Sequence, residues 1–331
     1  MSSKRSKQFL LVFLAVAFTL ALTFTTLELP KILNIILRDY FPDIYWEPES
    51  IQALMKYARP MGYVCLVLVL ALIVVGLLTE RKRLSSFGSF AFFLPAFGYF
   101  AASMFLLTGI GILRVMWLPF WDSDPILLKL GDVSYIPYWI VLCPFSLVGT
   151  ARFAHMVAHY LAYVAVGAGL LVFCMGTFTW FYGKMEKKRV FDFWIYKYSR
   201  HPQYLGFILW SYGVMILTTL APVPFGGSQP EPSFPWLIST LLVICVALTE
   251  ENKMMKQADE GYLTYRRSVP FMLPLPRFLS RLFTAPNRIL LKKEFPESGR
   301  EVLYTFVIYC TILILLSILV QELNLFGGIL R

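Results

Sequence analysis

The chain has 331 residues, of which 58% are hydrophobic and only 15% are charged. Soluble domains carry about 25% charged residues, so the composition excludes a soluble globular protein and predicts an integral membrane protein in a lipid bilayer. The net charge of +10 fits basic loops on the cytoplasmic side of a membrane. No basic stripe with interleaved aromatic residues stands apart from the apolar segments, so no nucleic-acid partner is expected. The five cysteines form no CxxC pair and are typical of core residues rather than of zinc ligands.

Seven apolar stretches approach the roughly 20 residues that a helix needs to cross a bilayer. They are 9–27, 60–79, 87–117, 156–181, 204–221, 236–250 and 302–320. The first follows a basic N-terminus and has no A-x-A cleavage site, so we expect a retained helix rather than a cleaved signal peptide. The predicted fold is an all-α integral membrane protein with about seven (seven to eight) transmembrane helices and a C-terminal helical hairpin.

Lysine and arginine are concentrated at the N-terminus, at 81–83, at 182–201 and in the segment after Glu251. Cytoplasmic loops carry an excess of these residues, so all four regions are expected to face the cytoplasm from a plasma or endoplasmic-reticulum-type membrane. This orientation constrains 135–149, which is apolar but short and interrupted by prolines. A full crossing there would put 182–201 outside, so we predict an interfacial or re-entrant segment. A full crossing stays open if the first helix is inverted.

A polar and aromatic cluster at 196–206 immediately precedes the fifth apolar stretch. Charged groups at a membrane boundary are costly, which makes the cluster a candidate binding site. Proline in the first turn of a helix loses no hydrogen bond, so His201-Pro202 predicts a helix start whose free N–H groups can face an anionic group. Tyr196 and Tyr204 offer faces that attract cations such as a sulfonium, and Gly206 allows close approach of a ligand or another backbone. The alternative is an anchor at the level of the lipid headgroups.

A second polar cluster, Thr249-Glu250-Glu251, ends the sixth stretch about 45 residues later. The two clusters flank one helical hairpin with a breaker-rich tip at 222–235, so folding is expected to bring them to the same side of the membrane. Carboxylates at membrane depth are rare and usually paired or functional, and one of these could hold an ammonium group. The alternative is that these carboxylates form an ion pair with Arg200 or Lys253, or lie at a solvated helix end. This alternative fits Glu251 better than Glu250.

A third polar segment at 261–270 follows the glutamates. Tyr262 and Tyr265 are three residues apart and share one helix face, and the helix should end near Val269 because a proline follows. Arg266 and Arg267 are interpreted as contacts to lipid headgroups, with contact to an anionic substrate as the alternative.

His155 and His159 are four residues apart, the spacing of two metal ligands on one helix face. No third ligand is visible nearby in the sequence, so no metal site is predicted, although whether these histidines bind anything stays open. The chain also lacks the glycine-rich phosphate-binding motifs and the G-x-S-x-G nucleophile motif.

The order and spacing of the three clusters resemble the isoprenylcysteine carboxyl methyltransferase family and, more loosely, the phospholipid N-methyltransferases. The resemblance covers roughly 180–275 and rests on RHPxYxG at 200–206, TEE at 249–251 and GYxxYxxxVP at 261–270. It implies a cytosolic segment that binds S-adenosylmethionine (AdoMet) beside the hairpin, and methyl transfer to a membrane-embedded or hydrophobic acceptor. Glu250 matches the carboxylate that holds the amino group of AdoMet. The other implied cofactor contacts are Tyr196, His201, Pro202, Gln203 and Tyr204, with Gly206 beside them.

Methyl transfer from a sulfonium mainly requires that donor and nucleophile be held close and in line. An amine or hydroxyl acceptor must also lose a proton. The candidate catalytic residues are Glu251, Arg200 and Tyr262, with His201 as a further proton acceptor. The sequence leaves the acceptor open among the carboxylate of a prenylated thiol, a lipid amine, a small thiol and a quinone-like lipid, and it leaves the oligomeric state open.

The chain departs from the family pattern at Val246, where members with prenyl-cysteine activity have an arginine, and in the stretch before Tyr196. The cofactor is therefore better supported than the acceptor. Two alternatives remain: an NADPH-dependent sterol or lipid reductase, which shares the RHPxY string, and a non-catalytic membrane subunit that retains the fold. The expected division is 1–155 for N-terminal helices of unassigned role, 156–275 for the methyltransferase core, and 276–331 for a basic cytosolic segment and the final transmembrane helix.

Overall fold

A computed structural model describes residues 2–28, 32, 48–97, 112–220, 231–257 and 260–323. Every regular element in these ranges is helical, with short 3₁₀ turns between the longer helices. The helices are α1 Ser2–Thr23, α2 Pro48–Leu78, α3 Lys82–Phe97, α4 Leu118–Ser123, α5 Ile136–Val148, α6 Ala151–Met185, α7 Pro202–Leu220, α8 Ser233–Lys256, α9 Glu260–Ser268, α10 Arg277–Leu290 and α11 Gly299–Glu322.

Within the described ranges, 7 helical stretches are long and apolar enough to cross a membrane. They are Ser6–Glu28, Lys56–Leu78, Ile126–Val148, Arg152–Met185, Pro202–Leu220, Ser233–Lys256 and Gly299–Glu322. The prediction of an all-helical integral membrane protein is confirmed at this level. Six of the stretches match predicted spans. The remaining predicted span, 87–117, falls partly on 98–111, which lie outside the described residues.

The Ile126–Val148 stretch qualifies as a span by length and composition, while the interfacial or re-entrant position expected for 135–149 stays a prediction. Its helix α5 begins beside the C-terminal end of α7. There the hydroxyl groups of Tyr135 and Thr219 are 2.8 Å apart, and the Tyr138 N–H donates to the Tyr212 hydroxyl at 3.1 Å. Three residues after α5 ends, α6 begins. The apolar stretch is longer than the predicted 135–149. The 3₁₀ turns at Pro125–Lys129 and Asp132–Tyr135 extend it on the N-terminal side of 135.

Helices α6 and α7 lie in direct backbone contact along glycines. A Cβ atom built on Gly169 would lie 2.2 Å from the Trp210 nitrogen, and one on Gly206 would lie 2.4 Å from the Phe173 nitrogen. No side chain larger than hydrogen fits at these points. This close packing holds the beginning of α7, where the 196–206 cluster ends, against the C-terminal half of α6. That half of α6 is predicted to lie on the cytoplasmic side.

Helices α7 and α8 run antiparallel. The Trp236 indole N–H near the start of α8 donates to Ser211 Oγ at 3.1 Å, and at the other end Glu251 meets His201. Trp210 and Leu242 are fully buried in the core that these helices share. The residues that connect the two helices, 221–230, lie outside the described part, so the hairpin itself stays a prediction.

The N-terminal half is packed onto this pair of helices. Ser89 of α3 and Ser239 of α8 exchange hydrogen bonds of 3.1 and 3.3 Å through each other's carbonyl oxygens. The turn between α2 and α3 lies beside the end of α8, where the Lys256 ammonium pairs with the Glu80 carboxylate at 2.9 Å. The end of the bundle formed by this turn, by the start of α7 and by the end of α8 is called the site end below.

Candidate functional site

The polar segments predicted to meet do meet at the site end. The Arg200 N–H donates to the Pro270 carbonyl at 3.1 Å, and the Tyr265 hydroxyl donates to the Tyr196 carbonyl at 2.9 Å. These two bonds attach the residues before α7 to α9 and to the segment that follows it. As predicted, α9 ends at Ser268, and Val269 packs with Tyr262 and Tyr265.

Glu251 is the centre of a buried cluster of charges, named here the Glu251 cluster. Its Oε1 lies 2.8 Å from Arg200 Nη1 and 3.3 Å from His201 Nε2, and its Oε2 accepts a hydrogen bond of 3.3 Å from Arg266 Nε. The side chains of Arg200 and Glu251 are only 5% and 2% exposed. Buried carboxylates are tolerated when they are paired in this way, so the cluster binds three chain segments together.

Aromatic rings cover the guanidinium groups of this cluster. The Arg200 guanidinium carbon lies 5.7 Å from the Phe271 ring centre and 5.9 Å from that of Phe295, while Arg266 lies 5.4 Å from Phe295. Burial lowers the pKa of Arg200, and the charge of Glu251 partly offsets that effect. Such cation–π contacts are strengthened by desolvation.

Arg200 keeps unused hydrogen-bonding capacity in this environment. Its contact with Glu251 has the distance of an ion pair but not the angles of a hydrogen bond, and within the described residues neither Nε nor Nη1 has a hydrogen-bond acceptor. With two arginines against one carboxylate, the cluster carries an excess positive charge. Buried donors of this kind are costly to leave without an acceptor, so the cluster favours an additional anionic or hydrogen-bond-accepting group.

Glu250 takes part in a separate group, the Glu250 cluster. It forms an ion pair with the Lys82 ammonium at the start of α3, and its charge acts on the nearby Tyr204 hydroxyl. Burial raises the pKa of Tyr196, and the nearby charge of Glu250 raises it further. Side-chain exposures of 48% for Lys82 and 23% for Glu250 make this cluster accessible from outside the bundle.

Three of the predicted cofactor contacts have structural roles. Pro202 begins α7, as expected. The Gln203 amide donates to Thr177 Oγ1 of α6 at 3.3 Å. Gly206 faces the Phe173 backbone. Of the two close approaches that the sequence allowed at this glycine, by a ligand or by another backbone, the structure has the second. These contacts account for the three residues without a bound molecule.

Tyr262 is buried beside the Glu251 cluster. Burial raises its pKa to about 12, with a further contribution from the negative charge of Glu251. The phenol therefore keeps its proton at neutral pH and can donate a hydrogen bond but cannot accept a proton. The Glu251 carboxylate already contacts Arg200, His201 and Arg266 through its two oxygens.

Sequence reasoning missed Lys82, Phe271 and Phe295, and it assigned Arg266 to lipid headgroups rather than to Glu251. Lys82 and Phe295 reach the site from distant segments, which no local pattern predicts, whereas Phe271 and Arg266 lie in or directly after the 261–270 segment. His155 and His159 lie on α6, with ring centres 4.5 Å apart, and His159 Nδ1 is 2.9 Å from the His155 carbonyl. Among the described residues, no group of three His, Cys, Asp or Glu side chains could hold a metal ion.

Comparisons with models of protein families, with curated proteins and with solved structures found no match for this chain.

Proposed function

We propose that this membrane protein binds AdoMet at the Glu250 cluster and transfers its methyl group to a hydrophobic or membrane-embedded acceptor. The observation that carries the proposal is the ion pair of Glu250 with a primary ammonium, that of Lys82, at an accessible position. The amino group of AdoMet is an ammonium of the same chemistry, so the Lys82 contact acts as a stand-in for it. The resemblance at 200–206, 249–251 and 261–270 supports the same assignment.

The residues around Glu250 fit the rest of the cofactor in chemical type. Tyr204 and Tyr196 both lie close enough to Glu250 for its charge to act on their hydroxyl groups. Aromatic rings stabilise sulfonium cations. When bound, AdoMet would supply a methyl group that passes from its sulfur to a nucleophilic atom of the acceptor. Binding requires Lys82 to leave Glu250, which its exposed side chain permits.

The Glu251 cluster would position the acceptor rather than remove a proton from it. Glu251 holds Arg200 and Arg266, whose positive charges could attract an acceptor carboxylate or phosphate. A carboxylate or thiolate acceptor is nucleophilic without a base, which agrees with the protonated Tyr262 and with a Glu251 carboxylate that is already paired with two guanidinium groups. Among the acceptors that the sequence left open, this chemistry favours the carboxylate of a prenylated thiol compound or a small thiol over a lipid amine. From the basic regions we infer that this end faces the cytoplasm.

Thermal unfolding of the detergent-solubilised protein with AdoMet, S-adenosylhomocysteine and NADPH tests the proposal. A ligand that binds only the folded state raises its stability by mass action. We expect both adenosyl ligands to raise the melting temperature of the wild type and of Glu80→Gln, a matched control that loses an ion pair at the same end. Glu250→Gln should lose the shift, and Lys82→Ala should increase it because the internal competitor is gone.

The alternatives give different results in the same experiment. A shift with NADPH alone would favour a sterol or lipid reductase. No shift with any of the three ligands, in wild type or in Lys82→Ala, would refute the proposed cofactor and favour a non-catalytic subunit. An equal shift in wild type and Glu250→Gln would show AdoMet binding away from the Glu250 cluster.

A further inference from the structure

Helix α10, Arg277–Leu290, is strongly amphipathic and exposes its apolar face. Phe278, Leu282 and Ile289 are four and seven residues apart along the helix, which places them within about 40° of one another around its axis. Their exposed fractions are 70%, 65% and 74%. Large apolar side chains exposed together in this way mark an interaction surface. From the sequence, this region is predicted only as part of a basic cytosolic segment.

One flank of the apolar face of α10 carries a stripe of positive charge. Arg281 and Arg288 are seven residues apart and lie on one stripe beside the apolar face. From residue 261 to 293 the chain contains seven Lys and Arg residues and no Asp or Glu. Arg288 pairs with Glu294 at 2.9 Å, and Lys293 pairs with Glu297 and Glu301. Arg281 and Lys292 have no ion-pair partner within the described residues, so their charges are available to an external partner.

A hydrogen bond fixes the depth of α10 relative to the last membrane span. The Tyr309 hydroxyl donates to the Phe283 carbonyl. Tyr309 lies ten residues, or about 15 Å along the helix axis, inside the Gly299–Glu322 span. This bond holds α10 against the membrane-crossing part of α11, so the phenylalanine and leucine side chains that are exposed on α10 lie beside lipid.

We propose that α10 lies in the membrane interface and binds anionic phospholipids, with Phe278, Leu282 and Ile289 among the acyl chains and with Arg281 and Lys292 at the phosphate groups. Interfacial helices combine an apolar face, a Lys- or Arg-rich polar face and low net hydrophobicity, and α10 has all three. Each basic residue near an anionic surface raises the constant for binding to that surface about fivefold. This site is separate from the Glu250 cluster and does not depend on the proposed cofactor.

Photo-crosslinking of the wild-type protein in lipid nanodiscs tests the proposal without any mutation. Phosphatidylglycerol and phosphatidylcholine that carry a diazirine in the headgroup would be compared, and the crosslinked residues mapped by mass spectrometry. We expect 277–293 to be labelled several times more by the anionic lipid than by the zwitterionic one. Labelling of other membrane-facing segments with no labelling of 277–293 would overturn the proposal, and crosslinks joining 277–293 of two chains would identify a second copy as the occupant.

Two sets of variants separate the apolar contribution from the charge. Nitroxide labels at positions 278 and 282 of a cysteine-free variant should collide with oxygen more than with a water-soluble nickel chelate, and a label at 281, on the charged stripe, should show the reverse. Equal access of the chelate to all three positions would contradict burial in lipid. Arg281→Gln with Lys292→Gln should lower the preference for phosphatidylglycerol about tenfold or more. Arg152→Gln, a matched charge loss at the start of α6, should leave the preference unchanged, and an equal loss in both would refute a specific site on α10.

Discussion

Replacement of Glu251 by glutamine provides the sharpest test of the buried charge cluster. The change keeps the shape of the side chain but removes the charge that compensates Arg200 and Arg266. Breaking a buried ion pair by removing one partner costs about 3 to 5 kcal/mol, because the remaining charge stays buried without compensation. Arg200 is almost fully buried, so it should contribute most of this cost. Arg266 is more exposed and should contribute less, because water screens its charge.

The neighbouring residue gives a matched control of the same chemistry. Glu250→Gln breaks a pair whose lysine is about half exposed, and exposed pairs contribute about 0 to 1 kcal/mol. The two variants should therefore differ by at least about 2 kcal/mol in the free energy of unfolding, a factor of about 30 in the equilibrium constant. Unfolding by a titration with sodium dodecyl sulfate in mixed micelles, followed by circular dichroism, would measure both variants.

A double variant decides whether the cost arises from the pair or from the packing. Replacing a buried pair by apolar residues of similar volume is often neutral or stabilising, so Arg200→Met with Glu251→Met should be more stable than Glu251→Gln alone. Equal and small effects of Glu251→Gln and Glu250→Gln would refute the buried cluster. A double variant as unstable as the sum of its single variants would show that the two residues act independently.

Two further predictions concern helix packing and pH. Gly169→Ala should cost about 1 to 3 kcal/mol because its Cβ would overlap the Trp210 backbone, whereas Gly167→Ala, which faces open space on the same helix, should be neutral or stabilising by up to about 1 kcal/mol. The same detergent titration would compare them, and equal effects would refute the close contact. Because the pKa of Tyr262 is raised to about 12, the unfolded chain loses this proton above pH 10 while the folded chain retains it. Stability should therefore fall by about 1.4 kcal/mol per pH unit for this group between pH 10 and 12, and Tyr262→Phe should flatten that slope.

The sequence was sufficient for features that depend on local chemistry. Hydropathy located most of the spans, because a run of about 20 apolar residues is typical of a helix that crosses the bilayer. The His201-Pro202 pair marked the start of α7, and the residue before Pro270 marked the end of α9 within one position. The meeting of the 196–206 cluster with Glu250 and Glu251 was also predictable, since an antiparallel pair of helices brings the start of one beside the end of the other.

The roles of the two glutamates could not be separated from the sequence alone. Glu250 and Glu251 are adjacent in a helix and therefore point about 100° apart, so a small rotation of α8 decides which one faces Arg200. Lys82 and Phe295 reach the site through the packing of distant helices, which no local pattern encodes. The spacing of Phe278 and Leu282 indicates the amphipathic character of α10. The prediction for that segment used only its density of basic residues.

The position of Phe295 has a consequence for how the protein can be shortened. This residue belongs to the link between α10 and α11, yet its ring lies on both Arg200 and Arg266. A fragment cut at residue 275, where the recognisable motif ends, would keep every residue of the Glu250 and Glu251 clusters but would expose two guanidinium groups to water on one side. The minimal fragment for expression should therefore extend through α11, even though the last helix contributes no charged residue to either cluster.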